Sequence, residues 1–159
     1  MDTPENRTVR TRTGPRPRPS FPQCCRRTVE KVWNGKEYDA SPRLYAKDCV
    51  FYGGPGGETT GIDASEAYAK EVHATFPDFE AREELCFCDD EADLVCMYLH
   101  YSGTTKGRSS APSPREEGTT TGVVINRVRD GKVVEAWAEA DALGFLADVG
   151  ATPESTATK

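Results

Sequence analysis

Histidine is scarce in this chain, and long apolar runs are missing. His73 and His100 are the two imidazoles in 159 residues. No HExxH pair occurs, and Cys24, Cys25, Cys49, Cys86, Cys88 and Cys96 form neither a CxxC pair nor a zinc spacing with a histidine. No metal site is therefore expected, and the cysteines read as small buried hydrophobes kept reduced in a cytosol. No apolar stretch approaches the ~20 residues of a membrane span, and the first residues hold no apolar core of a signal peptide. The expectation is a cytoplasmic protein with no membrane role. A Gly-x-Ser-x-Gly elbow is missing as well. The GGPGG stretch at 53–57 lacks the Lys-Ser/Thr ending of a phosphate loop and reads as a flexible turn.

The charge that is present is unevenly spread. The net charge of −6 combines +5 over residues 1–27, which hold seven arginines against Asp2 and Glu5, with −11 over the remainder. So acidic a body is unsuited to nucleic acid, and no such partner is expected. It would suit a salt-rich cytoplasm. Residues 1–23 are rich in Arg, Pro and Thr and too poor in apolar groups to offset their ordering entropy. They read as a disordered tail, either an arm for anionic partners or a solvated extension. Residues 24–150 read as one compact domain, and 151–159 as a second disordered tail.

Within 24–150 the apolar period changes once. Cys25, Val29, Val32 and Trp33 recur at helical spacing up to Asn34-Gly35. Ser41-Pro42 predicts a short helix with Ser41 as its cap, and Cys49 to Tyr52 a short strand. Asp63, with Glu66 three residues on, predicts a capped third helix ending at Phe76-Pro77. Alternation then predicts strands over 79–88, 94–102, 119–128 and 132–140. The last two flank Asp130-Gly131, a tight-hairpin signal. A short helix from Ala142 to Val149 closes the chain. Helices followed by a meander of strands define an α+β fold. His73 reads as a surface or helix-end residue, and Trp33, Phe76 and Phe87 as core.

Particular segments then carry a family resemblance: VEKVWNGKEYD, YAKDCVF, HATFPDFEAREEL and TTTGVVINRVRDGKVVEAWAEADALGFLADVG. Over roughly residues 24–150 the chain resembles the SnoaL-like polyketide cyclases, also described as ester cyclases, of the nuclear-transport-factor-2-like superfamily. The most specific parts are Phe76-Pro77-Asp78 and the ending Asp130-Gly131-Lys132, Glu135-x-Trp137, Asp141-x-Leu143-Gly144. The resemblance implies a cone-shaped barrel: a strongly curved, mostly antiparallel sheet whose concave face, closed by N-terminal helices, forms an apolar pocket. It also implies a homodimer formed through the sheet and aldol-type ring closure on a small carbonyl compound without cofactor or metal. Asp141 matches the family's acid/base.

The residues bear on that role independently. A two-residue turn at Asp130-Gly131 would set Val128 opposite Val133, Asn126 opposite Glu135 and Val124 opposite Trp137. Alternation would then put Val133, Glu135, Trp137, Glu139 and Asp141 on one mixed face and Val134, Ala136, Ala138 and Ala140 on another. A mixed face beside Trp137 suits a ligand pocket with a few placed polar groups, Asn126 among them. An Asp at its end, partly desolvated by Trp137 and the last helix, suits proton transfer. Asp141 also directly precedes a helix, where Asp is a preferred cap worth about 1 kcal/mol. Both readings stand at this point.

Three positions depart from the family pattern. Tyr52 stands where many relatives carry His, Tyr98 where they often carry Arg, and Thr105 where a Gly-Thr-His turn is common. Tyr52 and Tyr98 retain hydroxyls able to hydrogen-bond a carbonyl or enolate. His100 shares the alternation of Tyr98 and is a candidate supporting group. The expected activity is thus a cofactor-free enzyme with Asp141 as acid/base and Trp137, Tyr52, Tyr98, Asn126 and His100 around a small-molecule ligand. The alternatives are a non-catalytic ligand-binding or dimerisation module on the same fold, or another proton-transfer activity such as isomerisation or epoxide opening.

Overall fold

The computed structural model describes residues 21–53, 57–105, 117–141 and 143–145. The expected tails fall almost wholly outside these residues, as does the end of the last helix.

Helix α1 (Phe21–Arg27) runs on into a wider π-helical segment (Thr28–Asn34). The wide turn ends where the Gly35 N–H donates to the Glu30 carbonyl at 2.9 Å. A Cβ at Gly35 would lie 2.8 Å from the Lys31 carbonyl oxygen, so the stop needs glycine. A 3₁₀ turn (Tyr38–Ala40) and the short α2 (Ser41–Leu44) follow. Ser41 does not cap α2. The cap position is Ala40, and the Ser41 hydroxyl is buried without a partner among the described residues. The first strand is longer than its apolar run suggests: β1 spans Tyr45–Tyr52.

After the two-residue β2 (Thr59–Thr60) comes α3 (Ile62–Thr75). Its cap is Gly61, at φ 93°, and no side chain caps it, so Asp63 acts within the first turn as a favourable acid and not as the expected cap. The strands β3 (Glu80–Asp89), β4 (Leu94–Thr104), β5 (Glu117–Arg129) and β6 (Lys132–Ala140) complete the α+β fold.

The curved sheet runs β2-β1-β6-β5-β4-β3, antiparallel except where β1 meets β6. Its inner face takes the helices. Val95, Met97 and Leu99 of β4 are buried there with Val29, Val32 and Ala69. Strand β3 is an edge, and Asn34 covers its start. The Asn34 amide donates to the Ala81 carbonyl at 2.9 Å and accepts the Ala81 N–H at 2.8 Å, as a neighbouring strand would.

His73 is 7% exposed, not a surface residue. One ring nitrogen meets the Trp33 carbonyl at 2.7 Å and the other the Tyr38 hydroxyl at 2.7 Å. The ring nitrogen at Trp33 must donate, because a carbonyl only accepts. That leaves Nδ1 to accept from Tyr38. Burial holds the imidazole below its usual pKa, with nearby Lys36 adding to the effect against the Trp33 bond. A helix-end position by sequence becomes a junction between α3 and the first helix.

Candidate functional site

The β5–β6 hairpin decides which residues share a face. Asp130 (φ 51°) and Gly131 (φ 74°) make the expected two-residue turn, and Val128 pairs with Val133. One residue later the register shifts, because β6 carries an extra residue at Val134. Arg127 therefore opposes Glu135, Asn126 opposes Ala136 and Ile125 opposes Trp137. The expected pairs Asn126–Glu135 and Val124–Trp137 are corrected by this bulge. Val133 and Ala136, on opposite sides of a simple alternation, are both buried.

Trp137 consequently lies on the outer face of the sheet, away from the helices. Its ring stacks on Tyr52 with centroids 5.4 Å apart and 7° between planes. The Arg127 guanidinium lies 5.7 Å from the Trp137 ring and is held by Glu135 at 2.5 Å and the Ala92 carbonyl at 3.0 Å. Tyr98 and His100 alternate with buried Met97 and Leu99, so they too face outward. Four of the expected site residues thus share one face, but it is the convex one. Asn126 alone stands on the inner face, 3% exposed.

Phe87 is on the outer face as well and 63% exposed, contrary to its reading as core. Its alternation partners Cys86 and Cys88 take the inward places against the core.

The inner face carries a row of aromatic residues that the sequence does not single out as a site. Tyr101 continues the inward series of Met97 and Leu99. Its ring stacks on Phe79 at 5.9 Å, Phe79 packs on Trp33 at 5.9 Å, and Trp33 meets Tyr68 at 6.0 Å. Burial pushes the Tyr101 phenol up to about 12, with Tyr68 adding to it, and burial raises Tyr68 too. Both phenols remain protonated donors through the neutral range. The alternation within β4 was the signal that could have found Tyr101.

Asp141 directly follows β6, at the same end of the sheet as Tyr101, and its N–H donates to the Thr121 carbonyl at 3.3 Å. Its backbone carbonyl accepts the hydroxyl of Thr120 at 2.9 Å, and Thr120 is the cross-strand neighbour of Tyr101. Its carboxylate accepts the Gly144 N–H at 2.8 Å, the geometry of a helix cap. The turn it caps brings Phe145 onto Phe76, ring centroids 5.0 Å apart, and Phe76 borders Gly103 of β4. Among the described residues Asp141 is exposed. Trp137 points away and does not desolvate it. At the same end of β4 the Asp78 carboxylate accepts the Thr104 N–H at 2.7 Å. Thr105 follows directly and is half-buried.

A separate shallow groove runs between the first helix and the β3 edge, with the Arg26–Glu83 ion pair (2.8 Å) across it. It shares no residue with the aromatic end. Among the described residues no three His, Cys, Asp or Glu side chains are grouped to hold a metal ion, and no helix is long and apolar enough to cross a membrane.

The sheet order, the helices on one face and the closing Asp-capped turn define a nuclear-transport-factor-2-like fold. The sequence pattern of the family described as SnoaL-like polyketide cyclase matches residues 23–149, and the chain belongs to that family. Among solved structures it is similar to IdmH, a proposed polyketide cyclase of Streptomyces antibioticus. The TM-score is 0.72 at 23% identity, over 82% of this chain and 98% of that one. It is also similar to AclR, a proposed hydroxylase of Streptomyces galilaeus. There the TM-score is 0.69 at 21% identity, over 84% and 87% of the two chains. A protein of ketosteroid isomerase-like fold from Catenulispora acidiphila, solved with trimethylamine, gives 0.69 at 19%, over 83% and 95%. At these identities the likeness is one of fold. No curated protein matches the sequence.

Proposed function

We propose that the protein moves a proton on a small carbonyl compound bound at the aromatic end of the inner face, with Asp141 as acid/base. The observation that carries the reading is the fixed carboxylate. The Asp141 carboxylate is held by the Gly144 N–H, and its carbonyl is bound by Thr120, the cross-strand neighbour of Tyr101. In an aldol-type closure the carboxylate takes a proton from an activated carbon. The carbanion attacks a carbonyl within the same molecule, and the new alkoxide regains a proton from the carboxyl group. Tyr101 and Tyr68, protonated at neutral pH, are placed to donate hydrogen bonds to the enolate oxygen. No cofactor enters this scheme. The reading is tested by Asp141→Asn, which keeps a good cap while removing the base. Proton exchange on an activated ketone is lost and stability is kept.

A second reading is favoured by the exposure of Asp141 and its occupied role as a cap: a binding module without chemistry. Under it, Asp141→Asn leaves proton exchange unchanged.

We further propose that two copies pair through the outer face. Leu85 and Phe87 are 62% and 63% exposed there, beside Cys96, Tyr98, Val123 and Ile125. So contiguous an apolar surface on a sheet supports a protein interface. On this reading Tyr52, Trp137, Tyr98 and His100 serve the dimer and not the ligand.

A further inference from the structure

Cys24 and Cys25 are consecutive on α1, and their sulfurs lie 3.8 Å apart. Neighbouring residues on a helix do not ordinarily face each other, so both side chains must turn to bring their tips this close. The two thiols are unequal. Cys25 is 0% exposed, whereas Cys24 keeps 7% of its surface open and gives the pair its way in. The thiol–thiol contact lowers the Cys24 thiol below its ordinary value, against burial and with Arg27 nearby. The same contact, together with burial, holds Cys25 well above its own. Cys24 is therefore the nucleophile of the pair and Cys25 its protonated neighbour.

A disulfide between them does not fit the helix. Adjacent α-carbons stand about 3.8 Å apart across a trans peptide, short of the ~4.4–6.8 Å that a disulfide spans. A single atom bonded to both sulfurs does fit. With bonds of about 2.3 Å and a tetrahedral angle, two sulfurs stand roughly 3.8 Å apart. The surroundings select the kind of atom. Both cysteines belong to the apolar core, where a net charge is costly. Among the described residues no third His, Cys, Asp or Glu joins them as a metal ligand. The bridging centre must therefore be satisfied by two sulfurs and leave no charge behind.

We propose that Cys24 and Cys25 form a dithiol site for a monosubstituted trivalent arsenical, R–As(OH)2. The Cys24 sulfur attacks arsenic and one hydroxide leaves, and Cys25 then displaces the second. Two As–O bonds break and two As–S bonds form, while the two thiol protons depart with the hydroxides as water. Arsenic stays trivalent, so neither oxidant nor reductant is needed, and the product is neutral. Cys86 and Cys88 also share an inward face, but two residues along a strand are set about 6.6 Å apart, which one bridging atom does not span. The site lies on α1 and uses neither Asp141 nor the aromatic row.

The test is titration of the reduced full chain with phenylarsine oxide, which hydrates to this form, read by intact mass and circular dichroism. One phenylarsenic group per chain is expected, with an unaltered spectrum. Alkylation after rapid unfolding should find Cys24 and Cys25 protected and the other four cysteines open. Cys24→Ser and Cys25→Ser should each weaken binding by about 10²–10⁴-fold, through loss of the second, intramolecular bond. Cys86→Ser and Cys88→Ser should keep it. Should Cys25→Ser not fold, Cys25→Ala is expected to lose the adduct in the same way, and the protection pattern of the wild type needs no variant. No adduct, an adduct that costs the fold, one that survives in either single variant, or protection of other cysteines overturns the proposal.

Discussion

The Asp141 carboxylate accepts the Gly144 N–H at 2.8 Å while its own carbonyl accepts the Thr120 hydroxyl at 2.9 Å, so one residue ties the end of β6 to the closing turn and to β5. A Cβ at Gly144 would strike the carboxylate, which explains the glycine three residues on. Asp141→Ala should lower the unfolding free energy by about 1 kcal/mol, whereas Asp141→Asn should cost only a few tenths. Gly144→Ala should resemble Asp141→Ala, because it displaces the cap. Denaturant midpoints of the three variants check this, and equal midpoints for the Ala and Asn variants at position 141 would contradict it.

His73 gives stability a pH dependence. Burial holds its folded pKa below the usual imidazole value of about 6.5. The unfolded chain therefore takes up the proton first as the pH falls. The contribution of His73 is full above about pH 6.5 and is lost as the pH drops toward the folded pKa. His73→Phe should be less stable at neutral pH, since the Trp33 carbonyl and Tyr38 hydroxyl lose their partner, but should show a flatter slope between pH 7 and 5. Parallel slopes for the two proteins in urea titrations would remove His73 as the cause.

Asn34 makes both of its amide bonds to Ala81 at the β3 edge. Asn34→Ala should destabilise the fold by about 1–3 kcal/mol, with Ala81 left unpaired on both groups. Hydrogen exchange should report the damage first at the start of β3. An Ala81 amide that keeps its protection in the variant would show that the strand edge has another cover.

The outer-face pairing predicts a change of mass without a change of fold. Wild-type protein should sediment as a dimer, and Phe87→Lys as a monomer with an unaltered circular dichroism spectrum, because Phe87 is not part of the core. A monomeric wild type would end the dimer proposal.

Much of the architecture could be read from periodicity, because burial on one side imposes it. The change from helical to two-residue spacing after Phe76 marks where the sheet begins, and Asp130-Gly131 places the last hairpin to the residue. What could not be read is the extra residue at Val134. A bulge leaves the turn intact and reverses every later pairing, so Trp137 moves to the outer face and Asn126 comes to stand opposite Ala136. The helix caps fall one and two residues ahead of their sequence signals. Ser41 and Asp63 have the right side chains, but Ala40 and Gly61 occupy the cap positions. Phe87 reads as core in the sequence, whereas Cys86 and Cys88 take the inward places on β3. Asp141 shows the opposite case, since its cap was legible from the helix that follows and the structure forms it.

The central claim is that Asp141 moves a proton, and the most direct measurement is deuterium uptake from heavy water at the activated carbon of 2-tetralone, followed by proton magnetic resonance. Wild-type protein should accelerate the uptake over buffer, and Asp141→Asn should lose a factor of about 10²–10⁴ of that acceleration while binding the ketone equally well. Equal uptake by the two proteins, or no acceleration by the wild type, would contradict the account.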